Sequence, residues 1–173
     1  MTQKIAILAT DGFEDAELLY PKIRLKEEGI NTELISLHRR EIIGKHGYPI
    51  KPDKLIREAH ADDYDGVIIP GGTVNPDHLR RESEVLEFVA KLNQQKKLVS
   101  SICHGGWVLI SAKVIKGRKA TSYFAIKDDM INAGAKFEDK SVVVDGNLIT
   151  SRQPDDLPDF MKKIIEFLKK VAN

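Results

Sequence analysis

Leu98-Val99-Ser100-Ser101-Ile102-Cys103-His104-Gly105-Gly106-Trp107-Val108-Leu109-Ile110 is an apolar strand that runs into small residues and leaves as an apolar helix. That is the layout of a nucleophile elbow, in which glycines permit the tight turn. The helix N-terminus that follows supplies unpaired N–H groups and partial positive charge, both of which favour thiolate over thiol. In open α/β folds chemistry sits at the carboxyl edge of the sheet, where this turn falls. The competing reading of Cys103 is a small buried hydrophobe. As the chain's single cysteine it has no partner for an internal disulfide, which fits a reducing compartment.

Outward from the elbow, Lys4 to Ala9 and Asp65 to Pro70 share the character of Lys97 to Cys103: short, apolar and β-branched, as in strands buried on both faces. From Glu14 to Glu28, Ala16, Leu19, Ile23 and Lys26 recur at helical spacing between charged positions, and Gly29 stops the helix. A strand at Thr32 to Leu37 follows. Strand, helix, strand implies right-handed crossovers and a parallel sheet with helices on both faces. Glu41 to Lys51 reads as a small antiparallel hairpin, and Asp145-Gly146 between two apolar runs predicts another. A closing helix spans Asp155 to Val171, with Phe160, Ile164, Phe167, Leu168 and Val171 on one stripe. No repeat or linker divides the 173 residues, so a single domain over 1–173 is expected.

Composition narrows the function. Lysine and arginine number 27 against 26 acidic residues, a net charge of +1, so no basic excess points to nucleic acid or an anionic membrane. Hydrophobic content of 42% suits one core. With neither a signal peptide nor a membrane-length apolar run, the expected location is the cytoplasm.

In a parallel sheet the loops Thr10 to Asp15 and Pro70-Gly71-Gly72 emerge on the same edge as Cys103. Glu14 can then approach the sulfur, and the backbone of Gly71 and Gly72 can donate to an oxyanion. Glu14 also reads simply as a first-turn carboxylate favoured by the helix dipole. His104 could act as a base for Cys103, but neighbours on a helix do not face each other, so its backbone N–H is assigned to the oxyanion hole. Gly105 joins the candidate oxyanion and substrate-binding set, with Tyr123 as a hydroxyl donor. The histidines show no metal spacing; neither metal nor cofactor is expected.

Six ordered motifs, SICHG at Cys103, IIPGG at Ile68 to Gly72, GFEDAELLYP at Gly12 to Pro21, GKHGY at Gly44 to Tyr48, IKDDMINAGA at Ile126 to Ala135 and VVVDGNLITSRQPDDL at Val142 to Leu157, resemble the PfpI family of intracellular cysteine proteases. That family lies in the superfamily of the parkinsonism-associated deglycase, with a class I glutamine amidotransferase-like fold. The resemblance covers nearly the whole chain. It implies a flavodoxin-like three-layer α/β/α sandwich with a mostly parallel central sheet, a nucleophile at Cys103 and a glutamate, Glu14, hydrogen-bonded to its sulfur. It also implies that His104 pairs with a carboxylate from a neighbouring subunit in the loop after PGG, here Asp77, and that the protein forms dimers or larger assemblies. Many relatives have proline and then a polar residue after CHG. Gly106 and Trp107 depart from that pattern; extra backbone freedom and a large indole imply a reshaped pocket or interface, and the competing reading of Trp107 is packing alone.

Three functions are compatible with these residues. A glyoxalase or protein deglycase would add Cys103 to a methylglyoxal-type carbonyl, as stress defence. A peptidase would use the same thiolate with His104 and Asp77. A stress chaperone or redox sensor would oxidise Cys103 reversibly. The substrates are accordingly a small carbonyl, a glycated side chain or a peptide, and the macromolecular partner is a second copy of the chain.

Overall fold

The computed structural model describes residues 2–172. Its strands are β1 (Lys4–Leu8), β2 (Asn31–Ser36), β3 (Ile42–Ile43), β4 (Pro49–Ile50), β5 (Lys54–Leu55), β6 (Gly66–Ile69), β7 (Leu98–Ile102), β8 (Lys119–Ala120), β9 (Lys136–Phe137), β10 (Val142–Asp145) and β11 (Leu148–Ser151). Its helices are α1 (Asp15–Glu27), α2 (Val74–Leu79), α3 (Ser83–Gln94), α4 (Gly106–Ser111), α5 (Lys127–Asn132) and α6 (Leu157–Ala172).

Seven strands form one sheet in the order β10-β11-β7-β6-β1-β2-β5, parallel except where β10 meets β11. The expected hairpins are present: β3 pairs antiparallel with β4 as a separate ribbon, and β10 turns into β11 at Asp145-Gly146. Because side chains alternate along a strand, Ala6 and Leu8 of β1 face the layer of α3, α4 and α5, whereas Ile5 and Ile7 face α1 and α6. This is the expected three-layer sandwich. Helix α6 buries Leu157, Phe160, Met161, Ile164, Ile165 and Leu168 against the sheet. Each such side chain is worth about 1.5–3 kcal/mol of transfer free energy.

Helix α1 departs from the reading of its sequence. Its buried side chains are Glu17, Leu18, Pro21 and Leu25, while Ala16 and Ile23 face solvent. The period is helical as expected and Leu19 packs against the core, but the buried face centres on positions 17, 18, 21 and 25. Both faces of α1 carry apolar residues, so periodicity alone did not choose between them.

The chain runs from β1 to one side of the sheet through β2 and returns to the other side at β6. This reversal opens a crevice between the carboxyl ends of β1 and β6, where doubly wound sheets hold their ligands. Asn75, fully buried, ties the two loops together: its Oδ1 accepts the Thr10 N–H at 2.7 Å, and its Nδ2 donates to Pro70 O at 3.0 Å and Gly71 O at 3.2 Å.

Candidate active site

Strand β7 delivers Cys103 to this edge in a left-handed conformation, φ +60°, which a residue with a side chain adopts only at a cost of about 1–2 kcal/mol. Gly105 makes the turn possible for a steric reason. A Cβ there would stand 2.6 Å from the Ile69 carbonyl oxygen, so the elbow packs directly on the end of β6. Gly105 is therefore placed as a structural contact. Gly106 begins α4 with ordinary helical angles and is buried; the extra freedom expected of it is not used.

The residues Cys103–Gly105 form a 3-10 turn ahead of α4, not the first turn of an α-helix. The rule that adjacent helical side chains point apart does not govern them. The left-handed cysteine brings His104 Nδ1 to 3.3 Å from Cys103 Sγ. The imidazole thus faces the sulfur directly, contrary to the sequence-based expectation. Burial holds its pKa below the ordinary range, assisted by the charge of Lys45. At neutral pH it is an uncharged base.

The carboxyl group at the sulfur belongs to Glu17, one turn beyond the residue expected. Glu17 is fully buried, accepts the Gly71 N–H at 2.7 Å through Oε2, and hydrogen-bonds Cys103. A Cβ on Gly71 would sit 2.6 Å from Cys103 Cβ and 2.7 Å from Glu17 Oε2, so the missing side chain is what lets the two groups meet. Glu14 pairs elsewhere, although its charge is felt at both Glu17 and Cys103. Its oxygens lie 3.0 Å from His46 Nε2 and 3.6 Å from Lys45 Nζ on the β3–β4 ribbon. Its backbone N–H reaches Gly71 O at 3.3 Å. Since α1 packs through residues 17, 18, 21 and 25, position 14 falls at the rim and position 17 at the centre.

Burial, opposed by the Gly71 N–H, pushes the Glu17 carboxyl up to about 8. Burial and the charge of Glu17 push the Cys103 thiol up to about 12, against the backbone N–H groups of His104 and Gly72, which hydrogen-bond the sulfur. The helix terminus was expected to yield a thiolate. In the structure desolvation outweighs those two donors. Burial thus favours the uncharged form at all three groups, Glu17, Cys103 and His104.

The remaining sequence-predicted residues fall on two sides. Gly72, φ +77°, lies with its N–H towards the sulfur, and its Cα hydrogen face abuts Gly12 O, where a Cβ would come to 2.1 Å. Tyr123 donates its N–H to Cys103 O at 3.2 Å and stacks its ring on His104 at 5.0 Å, so its observed contacts are through backbone and ring. Asp77 is exposed on α2, and among the described residues no carboxylate pairs with His104. Trp107 contacts the His104 ring edge-on at 5.2 Å. Among the described residues no group of three or more histidines, cysteines or carboxylates converges as a metal site, and no helix is long and apolar enough to cross a membrane.

Comparison with known proteins adds the following. The profile of the DJ-1/PfpI family matches residues 3–167. The chain is 46% identical over 166 residues to Deglycase PfpI of Pyrococcus furiosus, covering 96% of this chain and 99% of that protein. It is 44% identical over 170 residues to YraA of Bacillus subtilis, named as a candidate cysteine protease, covering 98% and 100%. Among solved structures, Drosophila melanogaster DJ-1beta matches with a TM-score of 0.90 at 28% identity, over 96% of this chain and 90% of that one. A two-domain Anabaena variabilis protein with DJ-1/ThiJ/PfpI-like and ferritin-like domains matches with a TM-score of 0.95 at 40% identity, over 97% of this chain, which spans about half (48%) of that protein.

Proposed function

This chain belongs to the DJ-1/PfpI family, and on that premise we propose that it is a cysteine-dependent enzyme acting on methylglyoxal-type carbonyl compounds, with glyoxalase- or deglycase-like chemistry. The observation that carries the reading is the convergence on Cys103 of the His104 imidazole, whose Nδ1 lies 3.3 Å from Sγ, and of the buried Glu17 carboxyl, which also accepts the Gly71 N–H at 2.7 Å. As Cys103 attacks the aldehyde carbon, His104 Nδ1 takes the thiol proton and passes it to the new alkoxide, giving a hemithioacetal. The N–H groups of Gly72 and His104 stabilise the oxyanion as it forms. His104 then removes the proton from C1 while Glu17 protonates the adjacent carbonyl oxygen, giving an enediol. Return of the proton from His104 to C2, and of a hydroxyl proton from C1 to Glu17, leaves a thioester. Water hydrolyses it to the 2-hydroxy acid and regenerates the thiol. Cytoplasmic stress defence is the setting that suits this chemistry and a lone cysteine.

A second reading is peptide hydrolysis, supported by the Cys103–His104 contact and by the name of the Bacillus relative. It would draw Asp77 from a second copy to orient His104, and so needs a dimer or larger assembly. Lactate formation from methylglyoxal by wild type, Cys103→Ser and Glu17→Gln separates the two. The proposal expects no turnover from Cys103→Ser and roughly 100-fold less from Glu17→Gln. Unchanged turnover in Cys103→Ser would overturn it, and peptidase activity without lactate formation would favour the second reading.

A further inference from the structure

A base that works on a buried thiol must be held in place, and a carboxylate usually does this for histidine. Among the described residues none pairs with His104, although its Nδ1 lies 3.3 Å from Cys103 Sγ. What touches the ring is aromatic: Tyr123 stacked at 5.0 Å and 27°, and Trp107 edge-on at 5.2 Å and 69°. Trp107 is itself anchored from two other elements. Its indole N–H donates to Asp129 Oδ2 of α5 at 2.8 Å, and the Arg80 guanidinium lies 5.5 Å from the indole centre. Arg80 is in turn held by Ser111 Oγ of α4, which accepts from its Nε at 2.9 Å. Side chains from α5 and from the end of α2 therefore meet on one indole, which packs against the imidazole. An indole serving packing alone has no need of a hydrogen-bonded, cation-backed site at the rim of the nucleophile.

We propose that Trp107, anchored by Asp129 and Arg80, is a positioning residue that holds the His104 imidazole against the Cys103 thiol. The inference rests on the reading of His104 as the base for Cys103, and it is independent of which carbonyl the cysteine attacks.

The test is the second-order rate of Cys103 alkylation by iodoacetamide across pH, measured on the full chain as wild type, Trp107→Ala, Trp107→Phe, Asp129→Ala, His104→Ala and the double variant His104→Ala/Trp107→Ala. Trp107→Ala is expected to slow alkylation near neutral pH by roughly tenfold, as displacement of a catalytic group does. Trp107→Phe, which keeps an aromatic edge, restores most of the rate. The double variant reacts no more slowly than His104→Ala, because the two residues act as one unit. Should Trp107→Ala fail to fold, Asp129→Ala, which frees the indole while keeping it, is expected to slow alkylation by about threefold only when His104 is present. Additive losses in the double variant, or a wild-type rate in Trp107→Ala, would overturn the inference. A wild type that makes no lactate yet shows this pattern would refute the substrate reading and leave the positioning role intact.

Discussion

The elbow at Cys103 and the first turns of α1 meet at one sulfur, yet they carry their information differently. The elbow announces itself locally: an apolar strand, one cysteine and two glycines define the turn wherever the chain goes next. The contribution of α1 depends on how the whole helix is rotated against the sheet. A shift from the 16, 19, 23 stripe to the 17, 18, 21, 25 stripe exchanges Glu14 for Glu17 at the site. A cysteine on an elbow can be read from its own turn, whereas the carboxyl group beside it is set by packing some distance away.

Substitutions can break this contrast at either end. At the elbow a steric clash is expected. Gly105→Ala forces a Cβ to within 2.6 Å of a backbone carbonyl that has no room to move, and should cost at least about 1–3 kcal/mol, measured by chemical denaturation. On α1, Leu25→Ala should cost about 2–5 kcal/mol, whereas Ile23→Ala on the exposed stripe should stay within roughly 0.5 kcal/mol. Equal losses at 23 and 25 would contradict the rotation of the helix.

The acid partner adds a pH signature. Folding raises the Glu17 pKa to about 8, so its protonated form is favoured in the native state. The resulting stability is fully present below the ordinary glutamate pKa and is lost as pH rises through about 8. Glu17→Gln, which cannot ionise, should therefore raise the melting temperature relative to wild type more at pH 9 than at pH 5. Turnover should follow a bell. It falls on the acid side as His104 protonates below the ordinary histidine range, and on the alkaline side as Glu17 loses its proton near 8. The alkaline limb should vanish in Glu17→Gln. Smaller still is the expected effect of Glu14→Gln, a few-fold at most, since its carboxylate contacts Lys45 and His46 at the rim.

The sheet, both hairpins, the closing helix and the turn at Cys103 were legible because strand patterning, Asp-Gly turns and the elbow are local signals. Glu17 left a fainter one, a carboxylate in register with Pro21 and Leu25 at i, i+4 and i+8, on a face otherwise apolar. Asn75 left none, because joining the Thr10 and Pro70 loops is a tertiary contact across 65 residues. The approach of His104 to Cys103 was hidden for a different reason. It follows from a left-handed cysteine in a 3-10 turn, and a helix-based spacing rule cannot describe that backbone.

The most direct test of the account compares lactate formation from methylglyoxal by Glu17→Gln and Glu14→Gln under identical conditions. With Glu17 as the acid beside Cys103, the first variant should lose about 100-fold in kcat and the second should remain within a few-fold of wild type. The reverse order, with Glu14→Gln crippled and Glu17→Gln active, would contradict it.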